Sequence, residues 1–343
     1  MDLIPIDGAE GEGGGQILRT ALTLAAATGQ GFKVERIRAR RTRPGLRPQH
    51  LAAVRAAAMA CNAEVHGAFD GSPDLRFQPG APAAGDFHFD IGTAGATTLV
   101  LQTIVPVLAA AQSTSRVEVV GGTHVPLSPG FHYLARHWAA VVERIGLRAD
   151  FALGRAGFQP RGGGEARAQV SPWTRPASLD FSKRGALLAV RGAAGQARVR
   201  SDAARRAADA ARALFWEKRR LESDWDVAEL QAASPGAFVQ VEAVFENGRA
   251  AFAQLGERGL RGEILGERVA RRLLRFLDDE DAAVDPWLAD QLAVPLALCG
   301  GGGRATTSEV TTHLETVVAV LRRFGTEART FGRRGGPGGL EVG

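Results

Sequence analysis

Lysine and cysteine are nearly missing from this chain of 343 residues, and so is any long apolar run. Cys61 and Cys299 are the only cysteines. Two thiols without metal-ligand spacing exclude a disulfide framework and a cysteine-rich zinc site, and they fit a reducing compartment. No stretch of ~18 apolar residues is present to span a bilayer, and the short, acidic opening "MDLIPID" has no secretory h-region. These absences predict a cytoplasmic protein without a membrane partner. Only Lys33, Lys183 and Lys218 are lysines, so the pI of about 9.9 is carried by arginine. In a chain so rich in alanine and glycine, that total is weak grounds for a nucleic-acid partner. One further absence is local. The stretch "GAEGEGGGQILRTALTLAAATG", residues 8–29, runs a glycine-rich turn into an apolar helix, yet the lysine and hydroxyl that close a Walker P-loop are missing and Glu10 and Glu12 stand there instead.

What is there begins with length, which is enough for a sizeable core and predicts one large and one small unit. A unit recurs along the chain. The first copy reads as strand "LIPID", glycine turn, helix from about Gln16 to Ala27, strand "FKVERI", an arginine loop, helix "QHLAAVRAAAMACN" and strands "AEVHGAF" and "LRFQPG". The second repeats the order with strand "DFHFDI", the turn Gly92 to Gly95, helix "ATTLVLQTIVPVLAAA", strand "SRVEVVGG", turn "THVPLSPG", helix "FHYLARHWAAVVERIG" and two more strands. The third opens with "ASLDFS" and closes with helix "WLADQLAVPLALCG", strand "RATTSE", helix "THLETVVAVLRRFG" and a hairpin over "GRRGGPGG". Asp7, Asp90 and Asp180 fall at matching ends of the three opening strands. About ninety residues interrupt the third copy, far beyond an ordinary loop. They read as strands "LLAVRGA", "FVQVEAVFE" and "RAAFAQLG" with helices "DAARRAADAARALFWEKR" and "RGEILGERVARRLLRFLDD". The expected fold is therefore α/β of the α+β type. Three β-α-β-α-β-β units, helices on one sheet face, form a large domain (1–183 and 281–343), and residues 184–280 form a small inserted α/β domain.

Function is expected where the turns of the repeats converge. In the opening turn, glycines let the backbone approach a phosphate, and the helix start adds its dipole. Arg19 lies one turn in. Glu12 would repel such a phosphate unless a divalent cation, Mg²⁺ or Mn²⁺, stood between them; a glycine hinge with incidental acids is the other reading. The loop "RIRARRTRPGLRPQH", residues 36–50, brings Arg41, Arg43, Gln49 and His50 to a helix N-terminus, suited to a second phosphate or an RNA end and equally readable as a solvated charge run. In "WLADQLAVPLALCG", Asp290 and Gln291 beside Trp287 offer an aromatic face with hydrogen-bonding groups for a base and its ribose. His313 opens the helix whose stripe is Leu314, Val317, Val318 and Leu321. A helix N-terminus disfavours imidazolium by roughly 0.3–1 kcal/mol, which biases this histidine toward its neutral, nucleophilic form. A satisfied structural histidine is the alternative.

These segments together carry a resemblance. "DGAEGEGGGQILRTAL", "RPGLRPQHLAAV", "IGTAGATTLVLQT", "VEVVGGT", "GFQPRGGGE" at 157–165, "WLADQL" and "HLETVVAV" stand in the order found in the RNA 3′-terminal phosphate cyclases, and the chain resembles that family over nearly its whole length. The resemblance implies an enzyme that uses ATP to convert an RNA 3′-phosphate into a 2′,3′-cyclic phosphate, through a histidyl-AMP and an RNA-adenylate. It implies that His313 is the nucleophile and Glu12 the metal-side carboxylate. It further implies phosphate contacts from Arg19 and Arg43 and an adenine sandwich of Trp287, Pro129 and Tyr133, with Gln102, Asp290 and Gln291 nearby. Its partners would be ATP and RNA with a 3′-phosphate end, and the exposed sheet faces of a repeat protein admit a homodimer. One branch of the family lacks the nucleophilic histidine and works in ribosomal RNA maturation; His313 and Glu12 point away from it. Enolpyruvyl transferases share the repeat architecture only. The chain departs from the family pattern in Trp287, where bacterial relatives usually have tyrosine, in a richer arginine loop, and in His124 within "GGTHVPLSPG".

Overall fold

The computed structural model describes residues 3–174 and 178–343. The first repeat contains β1 (Ile4–Asp7), α1 (Gly15–Thr28), β2 (Phe32–Glu35), α2 (Pro48–Cys61), β3 (Glu64–His66) and β4 (Leu75–Gln78). The second has β5 (Asp86–Asp90), α3 (Thr97–Ala109), β6 (Ser115–Gly121), a composite helix α4, β7 (Ala149–Arg155) and β8 (Gly164–Val170). The third opens with β9 (Leu179–Phe181). Ala177, with which this strand was expected to begin, lies outside the described residues. The inserted segment then supplies β10 (Leu187–Ala197), α5 (Ala203–Arg219), β11 (Asp224–Glu229), β12 (Gly236–Phe245), β13 (Arg249–Leu255) and α6 (Gly262–Asp278). The third repeat resumes with α7 (Pro286–Leu298), β14 (Gly303–Thr307), α8 (Thr312–Arg323), β15 (Ala328–Gly332) and β16 (Gly338–Val342).

Each repeat forms a four-stranded sheet with the same order: β1-β2-β4-β3, β5-β6-β8-β7 and β9-β14-β16-β15. The first pair in each is parallel and the remaining pairs are antiparallel. A parallel pair needs a long crossover. Helices α1 and α3 supply it in the first two repeats; in the third, the inserted segment and α7 occupy the same link. The three aspartates do the same local work. Oδ1 of Asp7, Asp90 and Asp180 accepts the backbone N–H two residues on, from Ala9, Gly92 and Ser182, at 2.9, 2.7 and 2.8 Å. Each thereby turns the chain out of its opening strand.

Helices of all three repeats share one core. Ile17, Leu22, Leu51, Leu101, Ile104, Leu292, Val317 and Leu321 are all in it. Helix α1 is buried from Thr20 to Ala26, while Gly15, Gln16 and Arg19 in its first turn are only half-buried. The inserted segment has an apolar cluster of its own, with Phe215, Val241, Leu265 and Leu273 at its centre. There α5 and α6 pack at small residues: a Cβ on Gly262 would stand 2.5 Å from the Ala203 carbonyl.

Two elements differ from expectation. Strand β11 was not foreseen; it pairs in parallel with β10 from Arg191/Asp224 to Gln196/Glu229. The helix expected as one α-helix over "FHYLARHWAAVVERIG" opens with α-helical residues 131–132, widens to a π-helix at Tyr133–Trp138, continues as α-helix at Ala139–Val142 and ends as 3₁₀ at Glu143–Ile145; the composite is α4. The widened turns bring Tyr133, His137 and Trp138 inward together, all buried. Among the described residues, no helix is long and apolar enough to cross a membrane.

Candidate active site

A cleft of about 770 Å³ opens where α1, α7, α8, the arginine loop and β13 meet. Its floor is the glycine turn. Gly11 and Gly13 adopt φ of +56° and +61°, a region that favours glycine. The N-cap of α1 is Gly14, which offers no side-chain cap, whereas Thr311 caps α8 and Asp285 caps α7. The first N–H groups of α1 are therefore left for an anion in the cleft. A Cβ on Gly15 would stand 2.5 Å from His50 Nε2 and 2.9 Å from Arg19 Nη1, so those two groups wall the turn closely.

The N-terminus of α8 faces this turn. The Glu12 N–H donates to Thr316 Oγ1 at 3.2 Å, tying the loop to α8. Glu12 is ion-paired with Arg41, and its Oε2 lies 3.6 Å from His313 Nδ1. Burial lowers the His313 pKa below the usual 6.5, and the positive charges of Arg19 and Arg41 lower it further. The imidazole is neutral at pH 7. Nδ1 is the ring nitrogen that faces the Glu12 carboxylate.

The arginine loop holds itself open with its own carbonyls. Arg38, at φ +53°, donates from Nη1 to the carbonyls of Arg43 and Gly45 at 2.7 and 3.0 Å. Arg41 reaches the cleft, and so do Gln49 and His50. His50 Nδ1 accepts the Arg47 N–H at 3.1 Å, which leaves the proton on Nε2 beside Gly15. Burial, followed by Arg19, Arg38 and Arg47, presses its pKa down to about 3. His50 is thus a neutral donor. Arg19 is half-buried; desolvation lowers its pKa to about 10 against the opposing pull of Asp290, and it remains charged at neutral pH. Asp290 is pushed well above the usual carboxylate range by burial and by Asp285, with Arg19 opposing.

At the far end, Gln102 Nε2 donates to Gln291 Oε1 at 2.6 Å, and Thr98 Oγ1 holds the Pro129 carbonyl at 2.7 Å. Tyr133 is buried with its hydroxyl on Asp285 Oδ1 at 3.1 Å. Trp287 is 41% exposed and meets Phe252 edge-on at 5.7 Å. Every site residue expected from sequence reaches the cleft except Arg43, whose side chain does not line it and whose carbonyl instead braces Arg38.

Arg38, Gln254 and Arg272 line the cleft without having been foreseen. The Arg272 guanidinium lies 5.8 Å from the Trp287 ring centre. In sequence it is one arginine among several in "RVARRLLRF" and reads as solvent-facing, so nothing local marks it. His124 lies apart from these residues. It is buried against Phe158 and Phe238, and its ring nitrogens meet Thr123 Oγ1 at 2.8 Å and His132 Nδ1 at 3.0 Å.

Among the described residues, no three His, Cys, Asp or Glu side chains gather as a metal cage. A single carboxylate, Glu12, beside the glycine turn still suits Mg²⁺, which is commonly held by one or two carboxylates, water and the phosphates of a substrate.

Three α/β repeats surround a cleft that joins an uncapped helix start to a neutral imidazole. The chain belongs to the RNA 3′-terminal phosphate cyclase family, whose model matches residues 10–329. It is 46% identical over 323 residues to the RNA 3′-terminal phosphate cyclase of Ralstonia nicotianae, covering 94% of this chain and 91% of that one. It is 43% identical to the protein of the same name from Methylococcus capsulatus, over 95% and 92% of the two chains. The corresponding figures for Ectopseudomonas mendocina are 40%, 94% and 93%. Among solved structures, the enolpyruvyl transferase NikO of Streptomyces tendae is matched at 12% identity and a TM-score of 0.27, over 49% of this chain and 33% of that one. That match covers too little to bear on fold or function.

Proposed function

We propose that this enzyme converts an RNA 3′-terminal phosphate into a 2′,3′-cyclic phosphate at the expense of ATP. The observation that carries the proposal is the position of His313, neutral and at the start of α8, across the glycine turn from α1 and beside Glu12. His313 Nε2 attacks the ATP α-phosphorus and pyrophosphate leaves. The imidazole gains positive charge as the N–P bond forms, and Glu12 beside Nδ1 offsets it. AMP then passes from His313 to an oxygen of the RNA 3′-phosphate. Finally the vicinal 2′-hydroxyl attacks that phosphorus, closes the ring and releases AMP. A phosphomonoester dianion is a poor electrophile until one oxygen carries a good leaving group, and the covalent step divides its activation into two smaller barriers.

Arg19 and Arg41, with the uncapped start of α1, take the departing pyrophosphate charge. Gln49, His50 and Arg38 are left for the RNA phosphate, with Arg43 shaping the loop. Trp287, Pro129 and Tyr133 frame the adenine, and Gln102, Asp290 and Gln291 its polar edge. Glu12 would hold Mg²⁺ or Mn²⁺ against the nucleotide, where the cation supplies charge neutralisation on the phosphates. The protein would act in the cytoplasm. It would divide into a large domain, 1–183 and 281–343, and a small one, 184–280, a division supported by the separate apolar cluster of the inserted segment. The test is an oligoribonucleotide labelled in its 3′-phosphate, incubated with the protein, ATP and Mg²⁺. Conversion to a phosphatase-resistant end that depends on ATP is expected. A phosphate that stays phosphatase-sensitive with folded protein and varied RNA sequence would rule the proposal out.

A further inference from the structure

Away from the reacting groups, three buried titratable side chains and a half-buried arginine meet where the inserted segment touches the repeats. His137 of α4 is fully enclosed. Its Nδ1 lies 2.8 Å from Glu242 Oε1 on β12, and its Nε2 lies 2.8 Å from Asp285 Oδ2 at the head of α7. Arg249 Nη1 of β13 donates to the same Glu242 oxygen at 2.8 Å. Two carboxylates and two cations make the group neutral only if the imidazole is doubly protonated. Its two nitrogens then both donate, as the geometry requires.

Burial alone would drive His137 to its neutral form; the bonds to Asp285 and Glu242 outweigh that and raise its pKa to about 9. Glu242 stays below the usual range because His137 and Arg249 outweigh its burial.

Asp285 is the junction. Its Oδ1 accepts the Trp287 and Leu288 N–H groups, capping α7, and the Tyr133 hydroxyl. Its Oδ2 accepts the Ala251 N–H of β13 at 3.1 Å as well as His137. One carboxylate therefore registers three walls of the cleft: the helix with Trp287, Asp290 and Gln291, the Tyr133 ring, and the strand with Ala251, Ala253 and Gln254. His137 ties that carboxylate to the inserted segment.

We propose that His137 is a positioning residue. Clamped between Glu242 and Asp285, it locks the inserted segment to the head of α7, so that the segment serves as a fixed wall of the nucleotide cleft. This rests on the nucleotide site proposed above. A pure scaffold elsewhere in the core would change stability but leave ATP recognition alone; this one sets the relative placement of groups on either side of the base.

The experiment measures ATP affinity and the saturated rate of AMP transfer to the protein for the full-length wild type, His137→Gln and His137→Gln/Glu242→Gln. Wild type must bind ATP; if it does not, the nucleotide site itself is wrong and the inference falls with it. With wild-type binding established, His137→Gln, which leaves one buried negative charge in excess, is expected to weaken ATP at least about tenfold while the saturated rate holds. The double variant, neutral again and with the introduced amide placed to donate to Asp285, is expected to recover most of that loss. A folded His137→Gln protein with wild-type ATP affinity would overturn the inference, as would a double variant no tighter than the single one. If His137→Gln does not fold, ¹⁵N imidazole spectra of the wild type decide. His137 signals that shift on adding ATP support the role, and unmoved signals refute it.

Discussion

His313 Nδ1 lies 3.6 Å from Glu12 Oε2, and that same carboxylate is ion-paired with Arg41. Arginine and histidine thus compete for one negative charge, and Arg41 also repels a proton from the imidazole. Burial does most to keep the imidazole neutral, and Arg19 and then Arg41, a side chain suited to bind phosphate, add to it. On the proposed mechanism, phosphate oxygens of a bound nucleotide would pair with Arg41 and leave Glu12 to His313 or a cation.

The pH dependence follows with a definite sign. The attacking form is unprotonated, so the rate of AMP transfer to the protein falls as pH drops through the His313 pKa. Because that pKa lies below 6.5, the acid limb should lie below pH 6.5. Arg41→Met removes a repelling charge and frees Glu12, which raises the pKa and should move the limb to higher pH. Single-turnover rates from pH 5 to 8 measure both; a limb that stays put in the variant contradicts the electrostatic account.

The glycine turn separates activity from stability. Gly15→Ala inserts a Cβ 2.5 Å from His50 Nε2 and 2.9 Å from Arg19 Nη1. Both side chains must give way, and a displacement of ~1 Å in groups that position phosphate costs about a hundredfold in rate. Gly29→Ala meets open space but sits at φ +77° as the C-cap of α1, so it should cost stability, about 1 kcal/mol, and leave activity intact. Thermal melts beside initial rates separate the two. Equal loss of rate in both variants would show that the turn has no special role.

Trp287 lines the cleft and meets Phe252 edge-on. Loss of a base-stacking face costs ~1–3 kcal/mol, so Trp287→Ala should raise the ATP KM between about fivefold and 150-fold, with Trp287→Tyr close to wild type. An alanine variant with unchanged KM would remove Trp287 from the nucleotide site.

Acid should unfold the protein through histidines that are buried neutral. His50 titrates near pH 3 when folded and near 6.5 when unfolded. The unfolded state therefore binds more protons between those values, and stability falls as pH drops below 6.5, by up to about 1.4 kcal/mol per pH unit from this group. His50→Gln should flatten the slope of unfolding free energy between pH 6 and 4. Urea midpoints at each pH provide the check, and an unchanged slope would mean that His50 is solvated.

The three repeats were legible in sequence because each copy restates the same period and closes its opening strand with an aspartate that bonds two residues ahead. The amphipathic stripe of α8 and the glycine turn were legible for similar reasons: local spacing dictates them. Strand β11 escaped because its partner β10 lies across a helix of seventeen residues, although "DWDVAE" does alternate. The π-helical stretch of α4 has no local signature; it is visible only once His137 and Tyr133 are seen on Asp285. Arg38 and Arg43 could not be told apart by sequence, since the positive φ at Arg38 and the carbonyls it holds decide which guanidinium faces the cleft. The contribution of the inserted segment was invisible for the same reason, because Arg272 acquires its place beside Trp287 through tertiary packing alone.

The central claim is that His313 carries AMP. The direct measurement is to incubate the protein with ATP labelled at the α-phosphate and Mg²⁺, without RNA, denature it and look for label on the chain. The account predicts acid-labile label in the wild type and none in His313→Asn of equal stability. Wild-type protein that stays unlabelled across ATP and metal concentrations, or label that persists in His313→Asn, would contradict it.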